Sequence, residues 1–252
     1  MIWTPGKIES YKQASEYSSF HKKLSVLAEP YLDKGWSLAD IGCGPGLLAL
    51  QLAPMVASID AIDNDRVAID DLTARLDDVA LTSKSIADRI RPRLASIGDL
   101  KGESWDAVST CFFGVNEEVL EAALPLAKRR AFIFMHGRPD ADGPLAAMND
   151  GNKFSASEME AFLKRNKFVF KKSVMEMQFG QPFRKIEDIH SFLEEYKEFF
   201  EIQGAEYDPE RCVERRVTDV EERIIKTKRY DYPYYLPKSI SVALFIIRTA
   251  QT

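Results

Sequence analysis

Cysteine is scarce in this 252-residue sequence, which contains only Cys43, Cys111 and Cys212. No two of them stand at C-x-x-C spacing, and an odd number is not typical of a secreted disulfide framework. We therefore expect free thiols and no bound metal.

A long apolar run is also missing. The first twenty residues contain no apolar core of a signal peptide, and the longest apolar stretch, near Ile240–Ile247, is too short to span a bilayer. These absences predict a cytoplasmic protein that has no membrane partner.

Neither sign of charge dominates, because 34 Lys and Arg stand against 39 Asp and Glu, for a formal net charge of -5. Basic residues are interspersed with acidic ones, so the sequence predicts no basic surface for a polyanion, and no nucleic acid as partner. The 45% of hydrophobic residues can supply one full core.

Strands and helices alternate between residues 36 and 136, which predicts a parallel sheet covered by helices. Apolar runs predict five strands, at Trp36–Gly42, Met55–Asp63, Leu94–Ile97, Trp105–Cys111 and Ala131–His136. Helical spacing of apolar residues predicts helices at Leu47–Ala53, Asp65–Leu76 and Leu120–Ala127.

The flanking segments predict further elements of the same single domain. Residues 1–35 predict an N-terminal helical cap, and residues 137–252 predict a substrate-side half. In that half, Ser155 and Glu158 form a capping box that starts a helix. Two more strands are predicted at Phe168–Phe179 and Ser239–Arg248, with a helical insertion between them at 184–229.

The segment Asp40-Ile-Gly-Cys-Gly-Pro-Gly46 lies at the turn between the first strand and the first helix of the core. Glycines at such a turn let a ligand approach the backbone closely. A dinucleotide fingerprint requires a third glycine where this sequence has Leu47, so that fingerprint fails. A carboxylate at Asp40 suits a cationic ligand better than a pyrophosphate.

The same segment resembles motif I, D-x-G-x-G-x-G, of the class I S-adenosylmethionine-dependent methyltransferases. Asp63, 17 residues after Gly46 (63 − 46), and Gly98-Asp99-Leu100 stand where that family has its second and third conserved acidic elements. The resemblance covers residues 36–136. It implies an α/β, Rossmann-like, mostly parallel seven-stranded sheet with helices on both faces.

The resemblance also implies the cofactor, S-adenosyl-L-methionine, which leaves as S-adenosyl-L-homocysteine. Asp63 would bind the ribose hydroxyls, although it could instead cap the next helix, as Asn64 or Asp65 could. Asp99 would meet the adenine amino group, although Gly98-Asp99 alone could be any turn. The expected cofactor-binding residues are Asp40, Gly42, Cys43, Gly44, Gly46, Asp63, Asn64, Asp99, Leu100 and Tyr17.

The acceptor is predicted to be a small molecule. Ser109–Gly114, which includes the end of the fourth strand and the residues after it, lacks the N/D-P-P-Y signature of enzymes that methylate exocyclic amines. Aromatic and polar residues of the pocket-forming segments could bind the acceptor, although core packing is the better explanation for any one of the aromatics. The candidates are Tyr11, Phe112, Phe113, Arg138, Gln181 and Arg184.

A histidine could remove the acceptor's proton, because its pKa suits a general base near neutral pH. His136, at the end of the fifth strand, is the preferred catalytic residue and His21 is the second. Structural packing is an equally good interpretation of each histidine.

Two other classes of function remain open. A non-catalytic or non-methylating S-adenosylmethionine-binding protein would retain the same cofactor residues. A nicotinamide-dependent oxidoreductase is disfavoured by Leu47. The insertion at 184–229 could serve as a lid or as the contact of a homodimer.

Overall fold

The computed structural model describes residues 2–137, 154–196, 217–218 and 220–249. The chain divides into two compact units. The large unit comprises His21–Arg138, Asn152–Met175 and Ser241–Thr252, and the small unit comprises Met1–Phe20, Pro139–Gly151 and Glu176–Ile240. The candidate residue Arg138 and the predicted connection that follows it lie outside the described residues.

Ten strands lie in the described residues: β1 Ser37–Ile41, β2 Ser58–Asp63, β3 Ile90–Leu94, β4 Trp105–Cys111, β5 Ala127–His136, β6 Val169–Gln178, β7 Gln181–Phe183, β8 Ile225–Lys226, β9 Tyr234–Leu236 and β10 Ser239–Arg248. Seven of them form one sheet in the order β3-β2-β1-β4-β5-β10-β6. Strands β1 to β5 pair in parallel, and β10 pairs antiparallel with β5. The predicted mostly parallel seven-stranded sheet is therefore confirmed.

Seven α-helices lie in the described residues: α1 Pro5–Ser18, α2 Phe20–Ala28, α3 Leu47–Leu52, α4 Arg66–Ala87, α5 Glu117–Ala123, α6 Ala156–Arg165 and α7 Asp188–Glu195. The predicted N-terminal helices are confirmed. The predicted capping box also forms, since the Glu158 N–H donates to Ser155 Oγ and the Ser155 N–H donates to the Glu158 carboxylate. None of these helices is long and apolar enough to cross a bilayer.

One face of the large sheet packs against α5 and α6. Its buried residues include Ile41 of β1, Val108 of β4 and Ile133 of β5. They share one core with Leu120 of α5 and Leu163 of α6. Because side chains alternate along a strand, the neighbours of these core residues point to the opposite face of the sheet.

The third strand was predicted at Leu94–Ile97, which is wrong, because β3 is Ile90–Leu94 and Ile97–Leu100 is a 3₁₀ turn. Arg91 and Pro92 interrupt the apolar pattern of β3, so the sequence does not indicate a strand at these positions. Strand β3 is stabilised by its pairing with β2 and by hydrogen bonds to the buried Asp60 carboxylate. Arg91 donates to that carboxylate from Nε at 2.8 Å and from Nη2 at 2.6 Å.

Two helix ends also differ from their predictions. The helix predicted at Asp65–Leu76 continues beyond Leu76 as α4, which reaches Ala87 but is kinked at Ser83, where φ is -152° and ψ is 77°. The helix predicted through Ala127 ends at Ala123, because Leu124–Leu126 forms a 3₁₀ turn with a proline at its centre. Ala127 instead begins β5, four residues before the predicted start at Ala131.

The small unit contains a second sheet, which the sequence did not predict. Its strand order is β7-β9-β8, with both pairs antiparallel. The predicted helical insertion at 184–229 is therefore wrong in part, since α7 is helical but β8 is a strand. Residues 197–216 of this insertion lie outside the described residues.

Candidate functional site

The turn between β1 and α3 carries the glycines of the predicted motif. Gly42, Gly44 and Gly46 have φ angles of 70°, 51° and 71°, in the left-handed region that favours glycine. Space is limiting as well. A Cβ added at Gly42 would lie 2.1 Å from the Phe113 ring, and one added at Gly46 would lie 2.5 Å from Leu72. Glycine is thus required at Gly42 and Gly46 for two independent reasons.

Every backbone N–H of this turn donates within the protein. The N–H groups of Gly42 and Cys43 both donate to the Ile62 carbonyl, at 2.8 and 3.0 Å. Gly44 N–H donates to Asp63 Oδ2 at 2.8 Å, and Gly46 N–H donates to the Cys43 carbonyl at 3.0 Å. Proline at position 45 has no N–H. A phosphate-binding turn needs N–H groups that point at the ligand, and residues 42–46 offer none.

The side chain of Asp40 is buried beneath this turn, with 1% of the residue exposed. Its Oδ1 accepts a hydrogen bond from Ser109 Oγ at 2.6 Å. Its Oδ2 has no hydrogen-bond partner among the described residues. Burial raises the pKa of Asp40 from 3.8 to about 7, the Ser109 hydrogen bond opposes this rise, and the nearby Asp63 adds to it.

The charge around Asp40 makes this site receptive to a cation. A buried carboxylate oxygen without a partner is costly, and a cationic group would compensate that cost. Cys43 and Cys111 are the neighbouring thiols, and burial, followed by the Asp40 charge, raises the pKa of both. Both thiols are therefore neutral near pH 7 and do not compete for the cation.

The carboxylate of Asp63 lies at the end of β2, next to the glycine turn. Oδ2 accepts from Gly44 N–H, and Oδ1 accepts from Asp65 N–H at 2.9 Å. Asp65 itself caps α4, through Val67 N–H at 2.9 Å. This removes the alternative interpretation that Asp63 caps the helix. Each oxygen of Asp63 keeps a further lone pair for a ligand hydroxyl. The neighbouring Asn64 is exposed.

Asp99 and Leu100 occupy the 3₁₀ turn that follows β3. Asp99 Oδ2 accepts from the N–H and hydroxyl of Ser96 at 2.9 and 2.6 Å, and these hydrogen bonds lower the pKa of Asp99. The carboxylate is exposed. Leu100 is fully buried in the core with α5, which leaves no exposed side-chain surface for an adenine ring.

Phe112, Phe113 and His136 lie at the carboxyl ends of β4 and β5. The Phe112 ring lies 4.9 Å from the imidazole of His136, and Phe112 has a φ of 51°, unusual for a residue other than glycine. Phe113 packs against Gly42. His136 is exposed. The structure thus brings the preferred base candidate and two predicted acceptor residues to the edge of the sheet that carries the glycine turn.

His21, the second base candidate, is in a different environment. It is 3% exposed, and burial, with the positive charge of Arg75, lowers its pKa to about 3. The imidazole is therefore neutral near pH 7 and a poor proton acceptor. The structure supports a packing role for His21 instead of the predicted catalytic one.

The other predicted residues belong to the small unit. Tyr11 packs edge-on against Phe179 at 5.4 Å, and Tyr17 stacks on Tyr235 at 4.5 Å. Gln181 is buried and donates to the Pro182 carbonyl, and the guanidinium of Arg184 lies 5.6 Å from the centre of the Tyr232 ring. These contacts fit the packing interpretation of the two tyrosines. Ligand binding by all four residues stays a prediction.

Ser109 is the one residue of this site that sequence reasoning left without a role. The sequence shows a hydroxyl at this position, as it does at Thr110, and only the structure shows that Ser109 lies in register with Asp40.

The strand order β3-β2-β1-β4-β5-β10-β6, with its antiparallel β10 and a glycine turn after β1, is the class I methyltransferase fold. No protein-family model matches the chain, and no curated protein matches its sequence.

Solved structures share this fold at low sequence identity. The YcgJ protein from Bacillus subtilis is 14% identical with a TM-score of 0.57, and the match covers 93% of this chain and 100% of that one. Magnesium protoporphyrin IX methyltransferase from Synechocystis, with bound S-adenosylhomocysteine, is 14% identical with a TM-score of 0.54, over 95% and 85%. A Pyrococcus horikoshii protein proposed to be an RNA methyltransferase is 13% identical with a TM-score of 0.52, over 91% and 84%.

Proposed function

We propose that this protein is an S-adenosylmethionine-dependent methyltransferase whose cofactor binds at the glycine turn of the large unit. The observation that carries the proposal is the buried Asp40 carboxyl, whose Oδ2 has no partner among the described residues. The amino-acid end of the cofactor carries an ammonium group that would complete this carboxylate. Asp63, with Asn64 beside it, would accept the ribose hydroxyls, and Asp99 would meet the adenine.

The glycine turn supports this cofactor over a nicotinamide dinucleotide. A pyrophosphate requires donors, whereas the N–H groups of residues 42–46 are already used, and the carboxyl group beneath the turn would oppose an anion at the start of α3. A thermal-shift comparison separates the two cofactors. S-adenosylhomocysteine should raise the melting temperature, and NAD should leave it unchanged. The opposite result would favour an oxidoreductase.

When bound, the cofactor supplies a sulfonium methyl group for direct displacement by an acceptor nucleophile. The protein contributes orientation and exclusion of water, for which Phe112 and Phe113 line the edge of the sheet beside the turn. His136, exposed at the end of β5, would take the proton of a hydroxyl or ammonium acceptor. The role of base is not assigned to His21, because that histidine is buried. The proposed reaction includes no metal ion.

Replacing His136 with alanine should lower turnover about 100-fold, the lower range for general-base catalysis, and leave cofactor affinity within about two-fold. Histidine at position 190, exposed on α7, provides the matched control, since His190→Ala should change neither quantity. Steady-state kinetics with the methyl acceptor measure the first effect and calorimetry the second. Unchanged turnover in His136→Ala would rule out the base.

Cofactor affinity should rise as the pH increases from 6 to 8. Asp40 has a pKa of about 7 in the free protein, so below pH 7 its proton must leave when a cation binds. Affinity should fall by up to about ten-fold for each pH unit below 7 and level off above it. Calorimetry with S-adenosylhomocysteine in buffers of different ionisation enthalpy would detect the proton released below pH 7. A flat affinity profile contradicts this linkage.

The acceptor is proposed to be a small molecule. The mixed surface charge of the sequence supports this class over nucleic acid, with 34 basic and 39 acidic residues. Transfer of a radiolabelled methyl group into a metabolite extract, compared with transfer into total RNA, tests the class. Label in the small-molecule fraction supports the proposal, and label in RNA overturns it.

The second candidate function is an S-adenosylmethionine-binding protein that transfers no methyl group. The buried Asp40 site fits this candidate equally, because it concerns the cofactor and not the acceptor. Binding of the cofactor, with no S-adenosylhomocysteine formed in the presence of metabolite extract or RNA, would favour it.

A further inference from the structure

Ser109 and Asp40 form a buried pair across two neighbouring strands. Ser109 of β4 lies in register with Asp40 of β1, 69 residues away in sequence. The serine is fully buried, and its hydroxyl donates to Oδ1 of the aspartate at 2.6 Å. Both residues point away from the core formed with α5 and α6. The pair is therefore part of the site beneath the glycine turn and not part of that core.

This hydrogen bond has two physical consequences for the carboxyl group. It ties Oδ1 to a rigid central strand, so the group cannot rotate freely, and Oδ2 is the oxygen left for a ligand. It also favours the ionised carboxylate, because a donated hydrogen bond to a charged acceptor is stronger than one to a neutral acceptor.

Among the described residues, the titratable neighbours of Asp40 do not favour its ionised form. The titratable groups that interact with this carboxyl in the described part of the chain are Asp63 from β2, Cys43 from the glycine turn and Cys111 from β4. Asp63 opposes ionisation of Asp40, and both thiols are neutral near pH 7. Among the described residues, Ser109 is the one side chain that donates a hydrogen bond to Asp40.

We propose that Ser109 is a positioning residue for the cofactor site: by donating to Oδ1, its hydroxyl keeps the Asp40 carboxyl in the charge state that receives the cationic end of the ligand. The inference rests on the proposed function, and it adds a residue outside the glycine motif to the cofactor site. Without this donor, a larger share of the protein would hold Asp40 protonated at neutral pH and would bind the ligand weakly.

Thr110 provides a matched control on the same strand. Its hydroxyl is also fully buried, but it has no hydrogen-bond partner among the described residues and points to the opposite face of the sheet. Thr110→Val keeps the shape of the side chain and removes only this unused hydroxyl. Ser109→Ala removes a hydroxyl that is used.

The experiment measures S-adenosylhomocysteine binding by calorimetry from pH 6 to pH 8.5, with the full chain. Ser109→Ala should bind about ten-fold more weakly than wild type at pH 6.5 and within about two-fold of it at pH 8.5, because its Asp40 ionises at a higher pH. Thr110→Val should follow the wild-type profile. In an Asp40→Asn background, Ser109→Ala should have no further effect on affinity.

A loss of affinity by the same factor at every pH would overturn the proposal, since that is the result of a structural defect. An unchanged profile would overturn it as well. If Ser109→Ala does not fold, Ser109→Cys is the second variant, because a thiol is a weak donor of similar size. Ser109→Cys should bind S-adenosylhomocysteine more weakly than wild type at pH 6.5 and about as tightly as wild type at pH 8.5. Wild-type protein that binds no S-adenosylhomocysteine would refute the proposed function itself, which keeps the two failures distinct.

Discussion

Asp40→Asn is expected to weaken S-adenosylhomocysteine binding at least about 30-fold at pH 8, because truncating one side of a buried charge pair costs about 2 kcal/mol or more. At this pH the wild-type carboxyl is ionised and attracts the ligand's ammonium group. The asparagine amide is neutral and also donates hydrogen bonds, so it offers the ammonium a poorer partner. Calorimetry measures the difference directly.

The same substitution should not lower the stability of the ligand-free protein. The folded-state pKa of Asp40 is raised from 3.8 to about 7, so its protonated form favours folding and this contribution is lost as the pH rises through 7. Asp40→Asn removes that penalty. Its melting temperature at pH 8 should therefore equal or exceed that of wild type.

Asp106→Asn is the control for this prediction. Asp106 lies on the same β4 strand as Ser109, but its carboxylate is satisfied by Ser37 and Arg129. Asp106→Asn should retain wild-type affinity for S-adenosylhomocysteine. Equal affinity of Asp40→Asn and wild type at pH 8 would contradict the assignment of Asp40 to the cofactor.

Gly42→Ala is expected to abolish measurable cofactor binding. The left-handed φ of 70° costs an alanine about 1–2 kcal/mol, and its Cβ would lie 2.1 Å from the Phe113 ring. Either the ring or the glycine turn must move. Movement of the turn would break the N–H bonds to Ile62 and disturb Asp40 directly beneath it.

Gly102→Ala separates backbone strain from crowding. Gly102 has a φ of 88°, but an added Cβ meets no atom within 4 Å. Chemical denaturation should show that Gly102→Ala loses about 1–2 kcal/mol of stability, the cost of the left-handed φ alone. Its affinity for S-adenosylhomocysteine should stay that of wild type. Adding Phe113→Ala to Gly42→Ala should restore part of the binding. Wild-type affinity in Gly42→Ala alone would show that the turn does not hold the ligand.

The sheet and the glycine turn were predictable from sequence because their signals are local. Apolar runs ending in Gly42, Asp63 and Cys111 predict parallel strands whose carboxyl ends share one edge. Asp40 stands out because a charged residue within an apolar strand is rare. The position of β3 was not predictable in this way, since its stability comes from pairing with β2 and from the Asp60 carboxylate.

The pairing of Ser109 with Asp40 could not be predicted, because it depends on the register of two strands whose residues are 69 positions apart. The burial of His21 could not be predicted either, because helical spacing does not show which residues of a helix are covered by other elements of the fold. The small sheet escaped detection because β7, β8 and β9 have only three, two and three residues, too few for a period-2 signal.

Calorimetric titration of the wild-type chain with S-adenosylhomocysteine at pH 8, in parallel with NAD, tests the central claim most directly. The buried Asp40 carboxyl and the fully used N–H groups of the glycine turn predict one bound S-adenosylhomocysteine per chain and no heat from NAD. No binding of S-adenosylhomocysteine, or preferential binding of NAD, would contradict the account.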